Sequence, residues 1–211
     1  MDRLVWCACV FVGVSVSSST SAYILPTEQV LKQFVEHCKT LQDASIDLKQ
    51  GSAPFTEKRM HLKRGELFRM DGCEPAEACV LYQTWAAFVT ARGKTSEDFL
   101  IRTLQLLKKH KIDTHLITYT FWNEAPVYVI GAHPWETHKP QLWIDKQLGV
   151  PVKIVLLPSN TAQSLTLKAY DETSCIPKAW EFSQGIAWTT QKTHLNTHLP
   201  DSLFAASSPL Q

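Results

Sequence analysis

The sequence predicts an α+β fold built on one large antiparallel sheet. Two segments carry apolar residues at helical spacing, and short runs rich in β-branched and aromatic residues lie between and after them. Turn signals separate these runs, and neither an internal repeat nor a linker divides the chain. Its 211 residues are 45% apolar and 19% charged, with formal net charge +1. That composition excludes wholesale disorder, and the length suits one domain with its own core. So small a net charge gives no electrostatic footprint for nucleic acid and no polybasic anchor for a membrane surface.

The domain is expected to begin after a leader. Met1-Asp2-Arg3 precede LVWCACVFVGVSV and a small-residue exit ending at Ala22, the pattern of a secretory signal peptide cleaved ahead of Tyr23. The apolar run is shorter than the roughly 20 residues that span a bilayer. The expected organisation is therefore a signal peptide over 1–22, one domain over 23–204 and a frayed tail over 205–211, with no transmembrane segment in the mature chain. Cys7 and Cys9 leave with the leader, while Cys38, Cys73, Cys79 and Cys175 remain. Four cysteines allow three pairings. DGCEPAEAC reads as a turn between two strands, which makes Cys73 and Cys79 the local pair and leaves Cys38 for Cys175. The latter bridge would close a long loop and contribute about 2–4 kcal/mol.

The first helix is expected from Thr27, as its cap, to about Leu41, with Val30, Phe34, Cys38 and Leu41 on one face. SIDLKQ and KRMHLKRGELFRM read as strands. CVLYQTWAAFVTA reads as another strand, apolar on both sides. A second helix over Ser96–His110 has a capping-box pattern in Thr95 and Asp98, and Lys108, Lys109 and Lys111 crowd its carboxyl end. Its apolar stripe is Leu100, Leu104 and Leu107, widened by Phe99 and Ile101. HLITYTFW, VYVIG, QLWIDK, VPVKIVLL, SLTLKAY, AWEFSQ and GIAWTTQKTHL follow as a meander. A solvated antiparallel sheet has one polar face, and several of these runs lack one. Either a second sheet covers the first, or a curved sheet wraps round an apolar interior.

Candidate chemistry is thin. His194 and His198 in an extended segment stand about 13 Å apart, too far to share an ion, and no metal site or cofactor is expected. No nucleophile elbow, phosphate loop or dinucleotide fingerprint is present. Asp71, Glu124, Asp145 and Asp171 fall near turns, where two carboxylates could meet across a cleft and hydrolyse a glycosidic bond, but nothing brings a pair together. Binding is favoured over catalysis.

Residues 127–157 carry a more specific signal. A strand ending VIGA, a loop, and then Leu142, Trp143, Asp145, Pro151 and Lys153 resemble the LolA/LolB-like outer-membrane lipoprotein-sorting proteins. Asp145 can close the turn with its carboxylate, and Pro151 can start a strand where no donor is needed. Gly65, Phe68 and Arg69, with Pro200 and Phe204, add weaker matches. The resemblance implies a strongly curved antiparallel sheet, an unclosed β-barrel, with helices capping its concave side. It also implies a periplasmic carrier or sensor that binds a lipid or lipoprotein acyl group in a hydrophobic cavity, without covalent chemistry. Candidate cavity residues are Phe68, Tyr82, Trp85, Phe88, Phe121, Tyr128 and Trp143, and Arg69 is the expected lid contact. Two other readings stand beside it: an envelope protein-interaction module of the same fold with a filled core, and a carboxylate-dependent hydrolase.

Overall fold

The structure is a computed structural model that describes residues 24–51, 56–65, 67–91, 95–157, 161–170 and 175–205. The expected signal peptide, Asp171 and residues 206–211 of the expected tail lie outside them, whereas Ala205 closes the final turn. Helix α1 (Thr27–Cys38) is followed by strands β1 (Asp43–Gln50), β2 (Thr56–Lys63) and β3 (Leu67–Met70). Helices α2 (Ala76–Thr90) and α3 (Ser96–Lys109) come next. Strands β4 (Ile117–Trp122), β5 (Ala125–Ile130), β6 (Gln141–Asp145) and β7 (Pro151–Leu156) begin the second meander. It continues through β8 (Gln163–Tyr170), β9 (Pro177–Phe182) and β10 (Ala187–Leu195), and a short 3-10 turn, Asp201–Leu203, ends the fold. All ten strands form one antiparallel sheet in the order β3-β2-β1-β10-β9-β8-β7-β6-β5-β4. Pairing of β10 with β1 joins the two meanders, and the sheet stays open at β3 and β4.

One sequence expectation is corrected. Residues 79–90, read as a strand, belong to helix α2. The segment is rich in alanine, has no glycine or proline and starts directly after Pro75, conditions that favour a helix. Its lack of a polar face reflects burial on nearly every side, the pattern of a core helix. Of its residues, Leu81, Tyr82 and Thr84 through Thr90 are all buried. The hydroxyls of Thr84 and Thr90 donate to the carbonyls of Val80 and Ala86, at 2.7 and 2.6 Å, so neither needs water.

Helix α2 also reveals the curvature. Its start is tied to the chain just beyond β3 by the Cys73–Cys79 disulfide. At its other end the carbonyl of Thr90 accepts the amide of Gly65, 3.2 Å away in the β2–β3 turn. The helix thus runs back along β3, yet it also touches β7 and β8. On a flat sheet β3 and β8 would lie about 24 Å apart, whereas a helix with its side chains is about 10–12 Å across. The sheet must curl around α2. The open, curved sheet with helices on its concave side matches the expectation, with three helices in place of two.

Smaller expectations hold. Helix α3 carries the full capping box between Thr95 and Asp98. The amides of Gln147 and Leu148 donate to Asp145 Oδ1 at 2.7 and 2.8 Å, and Pro151 opens β7. Thr27 is not a cap: its hydroxyl donates instead to the carbonyl of Thr114, 2.8 Å away. Among the described residues Cys38–Cys175 and Cys73–Cys79 are disulfide-bonded, the expected pairings, although Cys79 lies on α2 and not after a turn between two strands; they fit an exported protein.

Candidate functional site

The concave side of the sheet is filled by side chains. Trp85, Trp180, Tyr82, Tyr128, Phe34, Phe88 and Phe182 are the bulkiest fully buried groups. Trp85 meets Trp180 edge-on with centroids 4.5 Å apart, and Tyr82 meets the same indole at 6.0 Å. Five of the seven candidate cavity residues gather in or against this one core: Tyr82, Trp85, Phe88, Tyr128 and half-buried Phe68. They form an interior because α2 occupies it. Burial pushes the Tyr82 hydroxyl far above the ordinary tyrosine range, so it stays neutral.

The other two candidates lie elsewhere. Trp143 packs with Val127, Val129, Trp122 and Val152 on the opposite, convex face. There Trp122 meets it edge-on at 5.2 Å, and Lys153 Nζ sits 4.7 Å from the Trp122 ring and 5.1 Å from that of Trp143. Its indole N–H donates to Gln141 Oε1 at 2.8 Å. Because β6 is buried along its whole length, alternation could not say which face Trp143 takes. Phe121 does share the helix-facing side of β4 with Tyr119, but β4 is an outer strand and the ring is 65% exposed.

Arg69 is also placed differently from the expectation. Its Nη1 donates to the carbonyl of Leu203 at 2.7 Å, and its Nε to Asp71 Oδ1 at 2.9 Å. It fastens β3 to the C-terminal turn, so the expected contact with a helical lid is replaced by this one. The same ion pair holds the Asp71 carboxyl below the usual carboxylate range. With Asp145 engaged in its turn and Glu124 in the β4–β5 hairpin, the structure brings no pair of these turn acids into a described site.

Open space lies at the helix layer. Helices α1 and α3 are antiparallel neighbours that touch at one end: Phe34 meets Phe99 edge-on at 6.3 Å, and Ser96 Oγ donates to Glu36 Oε1 at 2.9 Å. At the other end a cleft of about 620 Å³ opens between Glu28 of α1 and Ile101, Leu104 and Lys108 of α3. Its far wall is the segment 111–115. Lys111 takes a left-handed conformation, φ 59°, and the Ile112 amide donates to the Leu107 carbonyl at 2.9 Å. That turn drives Ile112 inward, so it is both cleft lining and part of the main core, against which Leu104 also packs. Ile101, expected to widen the buried stripe of α3, is 47% exposed and lies on the cleft. The charged lining carries both signs, Lys108 and Lys111 against Glu28 and Asp113.

Sequence reasoning missed this cleft. The available signal was the position of Ile101, one residue off the Leu100–Leu104–Leu107 line, with Glu97, Arg102 and Gln105 among its helical neighbours.

No protein-family model matches the chain, and no curated protein matches it in sequence. Among solved structures it is similar to the LolA superfamily protein NE2245 from Nitrosomonas europaea, at 12% identity and TM-score 0.48, over 86% of this chain and 98% of that one. A structure from Vibrio parahaemolyticus described as an outer membrane lipoprotein-sorting protein domain aligns at 13% identity and TM-score 0.42, over 85% and 97% of the two chains. A DUF1329 family protein from Desulfovibrio piger aligns at 13% identity and TM-score 0.49, covering 87% and 99%.

Proposed function

We propose that this chain is an exported, periplasmic carrier or sensor that binds the acyl chain of a lipid or lipoprotein, without covalent chemistry, in the cleft between α1 and α3. The observation that carries the reading is the cleft itself: about 620 Å³, floored by Ile101, Leu104 and Ile112, within the size range of small-molecule sites. Each methylene moved from water onto that floor contributes about 0.8 kcal/mol. The mixed charges at the rim select no head-group sign, so affinity depends little on ionic strength.

The neighbouring elements supply a route for loading. Helix α1 is held at its carboxyl end by the Cys38–Cys175 disulfide and, among the described residues, at its amino end by packing and the Thr27–Thr114 hydrogen bond. A pivot about the disulfide widens the cleft and extends its floor toward the core. Titration of the mature protein with a fluorescent fatty acid tests the reading. Saturable uptake is expected, weakened about tenfold or more by Ile101→Asp, the effect of losing about 1.4 kcal/mol or more of apolar contact. Absence of saturable uptake, or uptake indifferent to Ile101→Asp, contradicts it.

The filled interior favours a second reading, an envelope protein-interaction module of the same fold. That reading expects no lipid in mass spectra of extracts from the purified protein, and one specific envelope partner.

A further inference from the structure

We infer that the outer edge of β4 is a pairing site for a second copy of this chain, joining two sheets into one through antiparallel β4–β4 contact. The inference is independent of the cleft and rests on the edge alone. Strand β4 ends the sheet, and among the described residues no strand pairs on its far side. It reads ITYTFW, with no charge and no proline, two of the devices that usually protect an exposed edge. The opposite edge is treated differently: α2 runs along β3, and Arg69 ties it to Leu203.

Which backbone groups face outward follows from the hairpin. Strands β4 and β5 are joined by the two-residue turn Asn123-Glu124, both with positive φ, so Trp122 and Ala125 form the hydrogen-bonded closing pair. Alternation then directs the N–H and C=O groups of Thr120 and Thr118 toward β5. Two bonds agree with this phase: the amide of Gly131 donates to Leu116 O at 2.9 Å, and Pro126 O accepts the Lys146 amide at 3.0 Å on the far side of β5. The main-chain groups of Ile117, Tyr119 and Phe121 therefore point to the free edge.

These residues are self-complementary about a two-fold axis at Tyr119. Tyr119 of one copy faces Tyr119 of the other, and Ile117 faces Phe121, each pair exchanging both of its N–H···O bonds. The side chains of all three lie on one face, giving aromatic–aromatic and aromatic–β-branched cross-strand pairs, while Thr118 faces Thr120 on the other. No charge opposes a like charge among the paired strand residues, and Lys146 Nζ lies 5.2 Å from the Tyr119 ring of its own chain. Phe121, 65% exposed in a single chain, gains a neighbour in the pair.

The test measures the mass of the mature protein in solution and the cross-linking of one engineered cysteine. Tyr119→Cys places two thiols across the axis with Cα atoms about 5.5 Å apart, within disulfide reach, so mild oxidation should give a covalent dimer, and Thr118→Cys should not. Phe121→Pro removes an outward amide that β5 does not use; it should leave the far-ultraviolet circular dichroism unchanged and convert the dimer to monomer. Phe121→Lys should do the same if proline disturbs the strand. A monomer at the highest soluble concentration overturns the inference. So does a dimer that survives both Phe121 substitutions, or one cross-linked equally well through Thr118→Cys.

Discussion

Single residues of one chemical type separate sharply by their surroundings. Trp85 and Phe121 both looked like aromatic lining in the sequence, yet one is completely buried and the other is 65% exposed. Trp85→Ala should cost about 3–5 kcal/mol by opening a cavity in the core. In the monomer, at low protein concentration, Phe121→Ala should change stability by no more than about 0.5 kcal/mol, and urea unfolding of the two variants checks the contrast. His110 belongs to the same scale. Burial, with the charge of Lys109 as a lesser cause, lowers its pKa below the ordinary histidine value, and its Nε2 lies 3.3 Å from Thr84 Oγ1 on α2. His61 is lowered as well, chiefly by burial. Below about pH 6.5 the unfolded chain then binds more protons than the folded one, so stability falls as pH drops from there toward the folded-state pKa values. Melting temperatures from pH 7.5 to 5.5 should decline, and less steeply for His110→Gln.

At the scale of elements, the reading succeeded where one face was polar. Helices α1 and α3, the capping box and the β6–β7 turn were legible because Lys32, Glu36, Glu97 and Asp98 mark their wet sides and Asp145 and Pro151 mark the turn. Helix α2 was not. An element buried all round has no period, and its tyrosine, tryptophan, phenylalanine and valine suit a strand as well as a core helix; only its alanines and the preceding Pro75 spoke for helix. Strand β6 shows the same difficulty, since burial on both faces hid the side that Trp143 takes. The α1 helix carries the element-scale prediction. Thr27→Val removes its bond to the Thr114 carbonyl while leaving the cleft floor intact, so stopped-flow mixing should show faster fatty-acid loading. An unchanged rate would place the moving element elsewhere.

For the whole molecule, the sheet's curl and the filled interior have one cause, the placement of α2 against strands at distant positions in the sheet. The curl was anticipated through the resemblance of residues 127–157; the filling stood only in the alternative reading of a filled core, because it depends on a helix that the sequence disguised. Two disulfides hold this arrangement, one fixing α2 beside β3 and the other fixing α1 to the segment before β9. Replacing Cys38 and Cys175 together by serine should lower stability by about 2–5 kcal/mol, measured by denaturant unfolding. The fold itself should survive, since the sheet and α2 do not depend on that bridge.

The most direct test of the account is where a bound acyl chain lies. A fatty acid bearing a photoreactive diazirine on its chain, loaded into the mature protein and irradiated, should leave adducts on Ile101, Leu104, Lys108 or Ile112, suppressed by excess unlabelled fatty acid. Adducts concentrated on Tyr82, Trp85 and Phe88 of α2, or labelling that excess fatty acid does not suppress, would contradict it.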